Sequence, residues 1–193
     1  PANSGATGSA VIDDSIGYVA NPNLNSITRV NYLTGDTASV GVGAYPRGMV
    51  FARGKLFVLN GNLVACPPPD VLCPGGPSWL TVIDPARNAK AQGIDSVSLQ
   101  DSTGNAQFGE FSDVGGQGLL FVMNSGGQST GHGALSIIDP VDRKWKSTVS
   151  GFGTGPGDLA LGGDTLYISS PTEGLMAFDT RTGLVVRGAG EGV

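Results

Sequence analysis

His132 is the only histidine in the 193-residue chain, so it is the first candidate for general acid–base chemistry. It lies in NSGGQSTGHGAL, a glycine-rich connector, and any Ser–His–Asp site would have to be assembled around it. The favoured reading is an exposed connector histidine; the alternative is a ligand or general base at a binding mouth. Glu110 and Asp113 could form a carboxylate pair, but their spacing places them on opposite faces of a strand, where joint acid–base work fails. The sequence has no Gly-x-Ser-x-Gly elbow, no Gly-Lys-Ser/Thr phosphate loop and no Asp-rich calcium loop. One His and two Cys are too few for a zinc site. Catalytic residues, metal and cofactor are therefore expected to be none.

Cys66 and Cys73 flank a proline-rich stretch, CPPPDVLC. They are read as a local disulfide stapling an insertion over 61–78, too rich in proline to be strand or helix. Free thiols in a cytosolic loop are the alternative. A disulfide implies an oxidising compartment. Tyr45 and Arg47 flank Pro46 and make a candidate contact patch, because Tyr and Arg are enriched at binding hot spots; ordinary turn chemistry competes with this. Trp79 at a strand start and Trp145 in a turn are read as packing residues or, with Tyr45, as stacking platforms for a carbohydrate. The binding candidates are thus Tyr45, Arg47, Trp79 and His132.

The elements that must position these residues form a repeat. A strand-like phrase recurs as GYVAN at Gly17, LFVLN at Leu56, LFVMN at Leu120 and LYISS at Leu166. Each copy holds an aromatic residue in the same place: Tyr18, Phe57, Phe121 and Tyr167. A second apolar run follows each: ITRVNY, LTVIDP, LSIIDP and LMAFDT. Between them lie short turns rich in Gly, Asp and Pro. Asp84, Asp139 and Asp179 recur at turn openings, each followed by Pro or Thr, and are read as structural: the carboxylate can bond its own backbone two residues on. The pattern predicts an all-β β-propeller of four-stranded antiparallel blades, with four blades at about 8–43, 47–100, 108–151 and 157–189 in a single domain, 1–193.

The chain carries 32 Gly and 12 Pro, only 14% charged residues and a net charge of −5. Its 11 basic residues are scattered, which argues against nucleic acid and anionic lipid as partners. Apolar runs are too short to span a membrane. The sequence starts at Pro1 with no leader, so either a signal peptide has been removed or the chain starts inside a longer protein.

The stretch YVANPNLNSITRVNYLTGDTASVGVGAYPRGMVFARGKLFVLN, together with LTVIDP, LSIIDP and the Gly-x-x-Pro-x-Gly segment GAYPRG, resembles YVTN-type β-propeller repeats of bacterial and archaeal secreted or periplasmic proteins. The resemblance covers nearly the whole chain and is one of fold. Two features depart from it: members usually carry more blades, and the second unit is interrupted by the cysteine insertion. Four units could close alone, belong to a longer propeller or pair with a second chain; self-closure is the favoured expectation. The expected function is noncatalytic protein–protein interaction, as an accessory or scaffold subunit of a periplasmic or extracellular assembly. The cysteine loop would be the docking element, and any membrane association would run through a partner. The alternatives are a propeller enzyme or enzyme fragment (resembling quinoprotein dehydrogenases, lactonases or lyases) and a carbohydrate or small-ligand module.

Overall fold

Short β-branched and aromatic runs, separated by turns that carry their own hydrogen-bonding side chains, fold here into hairpins. The computed structural model of the chain describes residues 3–68, 71–113, 116, 118–127 and 132–193. In the first sheet β1 (Ser9–Val11), β2 (Ile16–Asn21), β3 (Ser26–Asn31) and β4 (Thr37–Gly41) follow one another antiparallel in chain order. The second sheet contains β5 (Pro46–Ala52), β6 (Lys55–Asn60) and β9 (Trp79–Asp84), with two short strands, β10 (Ala89–Lys90) and β11 (Ser96–Ser98), both paired to β9. The third sheet is β12 (Ala106–Ser112), β13 (Leu119–Asn124), β14 (Ala134–Asp139) and β15 (Lys144–Val149). The fourth is β16 (Leu159–Gly162), β17 (Thr165–Ser170), β18 (Gly174–Asp179) and β19 (Leu184–Arg187). Repeated four-stranded meanders of this kind are propeller blades.

The recurrent aspartates work as expected. Asp139 Oδ1 accepts the N–H groups of Val141 and Asp142 at 2.9 and 3.0 Å, and Asp179 Oδ1 accepts those of Arg181 and Thr182 at 2.8 and 2.9 Å. Asp84 accepts the Ala86 N–H and the Arg87 guanidinium. In the first sheet Asn31 takes the same place, accepting from Leu33 and Thr34.

Several sequence expectations shift. The 61–78 insertion is not wholly irregular: β7 (Leu63–Cys66) and β8 (Val71–Pro74) pair as a two-stranded antiparallel hairpin. Its prolines fall at the tip and the strand end, where no ladder donor is lost; Pro69 and Asp70 lie outside the described residues. Trp145 sits within β15, not in a turn, and packs against the core between the second and third sheets. The fourth strand of the second unit is split into β10 and β11. In the third unit the inner strand ends at Ser112; Val114, expected to close it, lies outside the described residues, as do 128–131 of the His132 connector.

Alternation along the strands gives each sheet two faces. The first sheet lays Tyr18, Ala20 and Ile27 on Met49, Leu56, Val58 and Ile83 of the second. The second lays Phe57, Leu59, Leu80 and Val82 on Leu120, Val122 and Ile138 of the third. The third lays Phe121, Met123, Leu135 and Ile137 on Leu166, Ile168, Met176 and Phe178 of the fourth. No apolar cluster among the described residues joins the fourth sheet to the first. The repeated aromatic marks the difference: Tyr18, Phe57 and Phe121 are fully buried under the following sheet, whereas Tyr167 is 40% exposed. Leu175, equivalent to the fully buried Ile27, Leu80 and Leu135, is 42% exposed, and Leu184 and Val186 of the neighbouring strand β19 are 64% and 65% exposed. Self-closure into a four-sheet ring would bury these side chains, so the favoured expectation is not what the packing displays.

Candidate binding site

The innermost strands converge because glycine permits it. A Cβ on Gly48 of β5 would lie 2.4 Å from the carbonyl oxygen of Gln107 in β12. A Cβ on Gly43 would lie 2.6 Å from the Trp79 ring and 2.5 Å from the Asn60 amide carbon. Both outer glycines of GAYPRG are thus set by close approach.

Between those glycines the chain makes a device that recurs one sheet later. Tyr45 has φ +53° and Asn105 has φ +60°; two residues on, Arg47 and Gln107 are each the extra residue of a β-bulge. A bulge turns its side chain away from the regular alternation, and both side chains face the same cleft. Asn tolerates the left-handed region readily, whereas a bulky Tyr there is an outlier. Backbone bonds tie the rim together: Gly61 N–H to the Tyr45 carbonyl at 3.0 Å, Asn105 N–H to Gly61 at 3.1 Å, and Ser125 N–H to Asn105 at 3.0 Å.

The cleft holds about 430 Å³. Arg47, Gln107, Phe108, Asn105, Ser125 and Pro156 are among its lining residues. Leu63, Val71 and Leu72 of the β7–β8 hairpin form a wall. Cys66 and Cys73 are disulfide-bonded, with Cα atoms 5.9 Å apart, so the expected staple fixes this wall. Burial draws the Arg47 guanidinium below its ordinary value, and no ion pair among the described residues includes it. An arginine stays charged even so. An adjoining cleft of about 360 Å³ shares Arg47 and carries Glu110 and Asp158. Burial, and then Asp158, push the Glu110 carboxyl up.

The other candidates disperse. Tyr45 supplies backbone to the rim, and its N–H donates to Asn25 Oδ1 at 2.9 Å. Trp79 covers Gly43, as packing across the first and second sheets. His132 is exposed and bridges Thr154, outside the cleft lining. Asp113 is ion-paired with Arg53, which also stacks 5.3 Å over Phe111, so it is not a partner of Glu110. No group of three or more potential metal ligands occurs among the described residues. Of the expected binding set only Arg47 lies in the cleft, with the disulfide hairpin beside it.

Sequence reasoning overlooked the asparagine that ends the repeated phrase. Asn60 Nδ2 donates to the Trp79 carbonyl and to Thr81 Oγ1, both at 3.0 Å, while its Oδ1 accepts the Gly43 N–H at 3.0 Å. Asn21 bonds Thr28, and Asn124 bonds Ser136, at 2.9 Å each. In the fourth unit Ser170 replaces the Asn and Met176 the hydroxyl residue. The signal was the paired occurrence of Asn with Thr or Ser.

Solved structures share this architecture. Kuenenia stuttgartiensis hydrazine synthase is similar with a TM-score of 0.72 and 16% identity, over 96% of this chain and 55% of that one. The computationally designed Ika8 protein matches with a TM-score of 0.61 and 11% identity, over 97% and 50%. Apo AztD from Citrobacter koseri matches with a TM-score of 0.57 and 11% identity, over 97% and 48%. The likeness establishes the propeller fold. This chain spans about half the length of those it matches. No family model and no curated protein matches the sequence.

Proposed function

We propose that this chain is a noncatalytic propeller module that works by protein–protein association, and that its open sheet faces pack against those of a second copy. The carrying observation is the face of the fourth sheet. Tyr167 and Leu175 occupy positions that are buried by a following sheet everywhere else in the chain. Exposed apolar surface that repeats the chemistry of an internal interface marks an association site. The open face of the first sheet is complementary in relief: it presents Gly17, Val19 and Val30, with no large side chain, to the bulky Tyr and Leu. Two copies joined fourth sheet to first, twice over, would supply about the chain length of the solved propellers.

The disulfide favours a setting outside the reducing cytosol, periplasmic or extracellular. No helix among the described residues is long and apolar enough to cross a membrane. The resemblance to YVTN-type repeats of secreted or periplasmic proteins supports the same setting.

The native mass tests the proposal. Size-exclusion chromatography with light scattering is expected to give twice the single-chain mass at micromolar concentration, and Leu175→Glu to restore the single chain. A wild-type protein that stays single up to about 100 μM, a weak-complex concentration, would overturn it.

A further inference from the structure

The cleft of about 360 Å³ carries charges of both signs that do not meet. Its lining comes from the innermost strands of all four sheets, β1, β5, β12 and β16. Arg47 stands on the second sheet, Glu110 on the third and Asp158 at the entry to the fourth. No ion pair among the described residues includes any of the three. Arg47 and Glu110 are half-buried and Asp158 is exposed, so all three reach solvent. Arg47 Nε is sealed within the protein, but its two Nη nitrogens are neither sealed nor hydrogen-bonded to a described residue; the outer edge of the guanidinium is the part open to a ligand. Glu110 pairs across the sheet with Phe121 and so shares the face turned to the fourth sheet, where Asp158 acts on it and Arg47 does not. A gap therefore separates the cation from the two carboxylates. Like charges facing each other in a partly desolvated cleft repel, and a guanidinium there lacks a counter-charge.

We propose that this cleft binds a small zwitterion, an amino acid whose carboxylate meets the Nη edge of Arg47 and whose ammonium sits between Glu110 and Asp158. A guanidinium edge matches a carboxylate through parallel N–H donors, and an ammonium offers donors to two carboxylates at once. Met49, Phe108 and Leu159 line the same cleft and suit an apolar body, and the volume fits a small molecule. A ligand with one charge gains one contact and meets one repulsion: an anion faces the carboxylates, a cation the guanidinium. Both charges on one molecule satisfy both ends. Every lining residue belongs to one chain, so binding does not depend on association of two copies, and either proposal can fail without the other.

Isothermal titration with the full chain tests the site, using L-norvaline, δ-aminovalerate, valerate and pentylamine as probes. Norvaline and δ-aminovalerate are isomers that differ in the spacing of their charges; at least one is expected to bind, and the tighter one reports the width of the gap. Valerate, lacking the ammonium, and pentylamine, lacking the carboxylate, are expected to bind at least about tenfold more weakly, the order of one charge-assisted hydrogen bond. Arg47→Gln should weaken the zwitterion by about tenfold or more without weakening pentylamine. Glu110→Gln and Asp158→Asn should weaken the zwitterion without weakening valerate. If Arg47→Gln fails to fold, the two carboxylate variants carry the test, since Glu110→Gln relieves a like-charge contact. Absence of binding by both isomers at about 10 mM, above the range of weak complexes, would overturn the proposal. So would valerate or pentylamine binding as tightly as the better isomer, or unchanged zwitterion affinity in a folded variant.

Discussion

Truncating the same repeat position in two sheets separates what the repeat encodes from what the packing uses. Phe57 and Tyr167 are equivalent in sequence, yet Phe57 is fully buried between the second and third sheets and Tyr167 is 40% exposed. Phe57→Ala should cost about 3–5 kcal/mol, the range for a large aromatic removed from a packed core. Tyr167 keeps only part of its burial, its ring lying over Gly162. Fully burying a large apolar side chain contributes about 1.5–3 kcal/mol, so Tyr167→Ala in the single chain should cost about 1–1.5 kcal/mol. Urea unfolding at submicromolar protein measures both. At concentrations about a hundredfold above the dissociation constant, association adds about 2.7 kcal/mol of linked stability to wild type, which Tyr167→Ala forfeits and Phe57→Ala does not specifically alter. Equal losses at the two positions in dilute protein would refute the burial argument. A Tyr167→Ala loss that does not grow with concentration would refute its role in association.

Three further outcomes follow from the geometry. Asn60→Ala leaves the Gly43 N–H and the hydroxyl of Thr81 without this partner, and at about 1–3 kcal/mol for each unpaired buried group should destabilise by at least about 2 kcal/mol in denaturant titration. Replacing Cys66 and Cys73 with Ser opens a short loop, for which chain entropy predicts about 2.5 kcal/mol; because the hairpin stands apart from the four sheets, proteolysis at the hairpin should rise more than the global midpoint falls. Glu110 has its folded-state pKa raised by burial and by Asp158, so the folded chain retains a proton that the unfolded chain releases. Stability should therefore fall as pH rises through that window, and Glu110→Gln should raise the melting temperature at neutral pH, with the gain vanishing below about pH 4.

The sheets were legible because each unit states its turns twice, once as glycine and once as a side chain that caps its own backbone. Asp139 and Asp179 were read correctly from their neighbours alone, since their bonds span only two or three residues. Trp145 was misplaced because a bulge in β15 shifts the register, which periodicity does not reveal. The hairpin was missed because proline density was read without asking which prolines occupy ladder positions. Arg47 was found by residue type, but Gln107 and Ser125 were not, as they meet it only when the second and third sheets curve around one axis. Trp79 illustrates the converse: a residue rich in binding chemistry spends its ring covering a glycine from the neighbouring linker.

The unequal relief of the two sheet faces gives the chain a direction. Each contact between neighbouring sheets sets the repeated aromatic against the next unit: aliphatic residues for Tyr18 and Phe57, and Phe178 as well for Phe121, edge-on at 5.8 Å. Contacts of this head-to-tail kind do not themselves specify where addition stops; the rotation per sheet does. A side chain at Gly48 would press on the Gln107 carbonyl of the third sheet, change the angle between the second and third sheets, and so divert a closing ring into an open, growing filament.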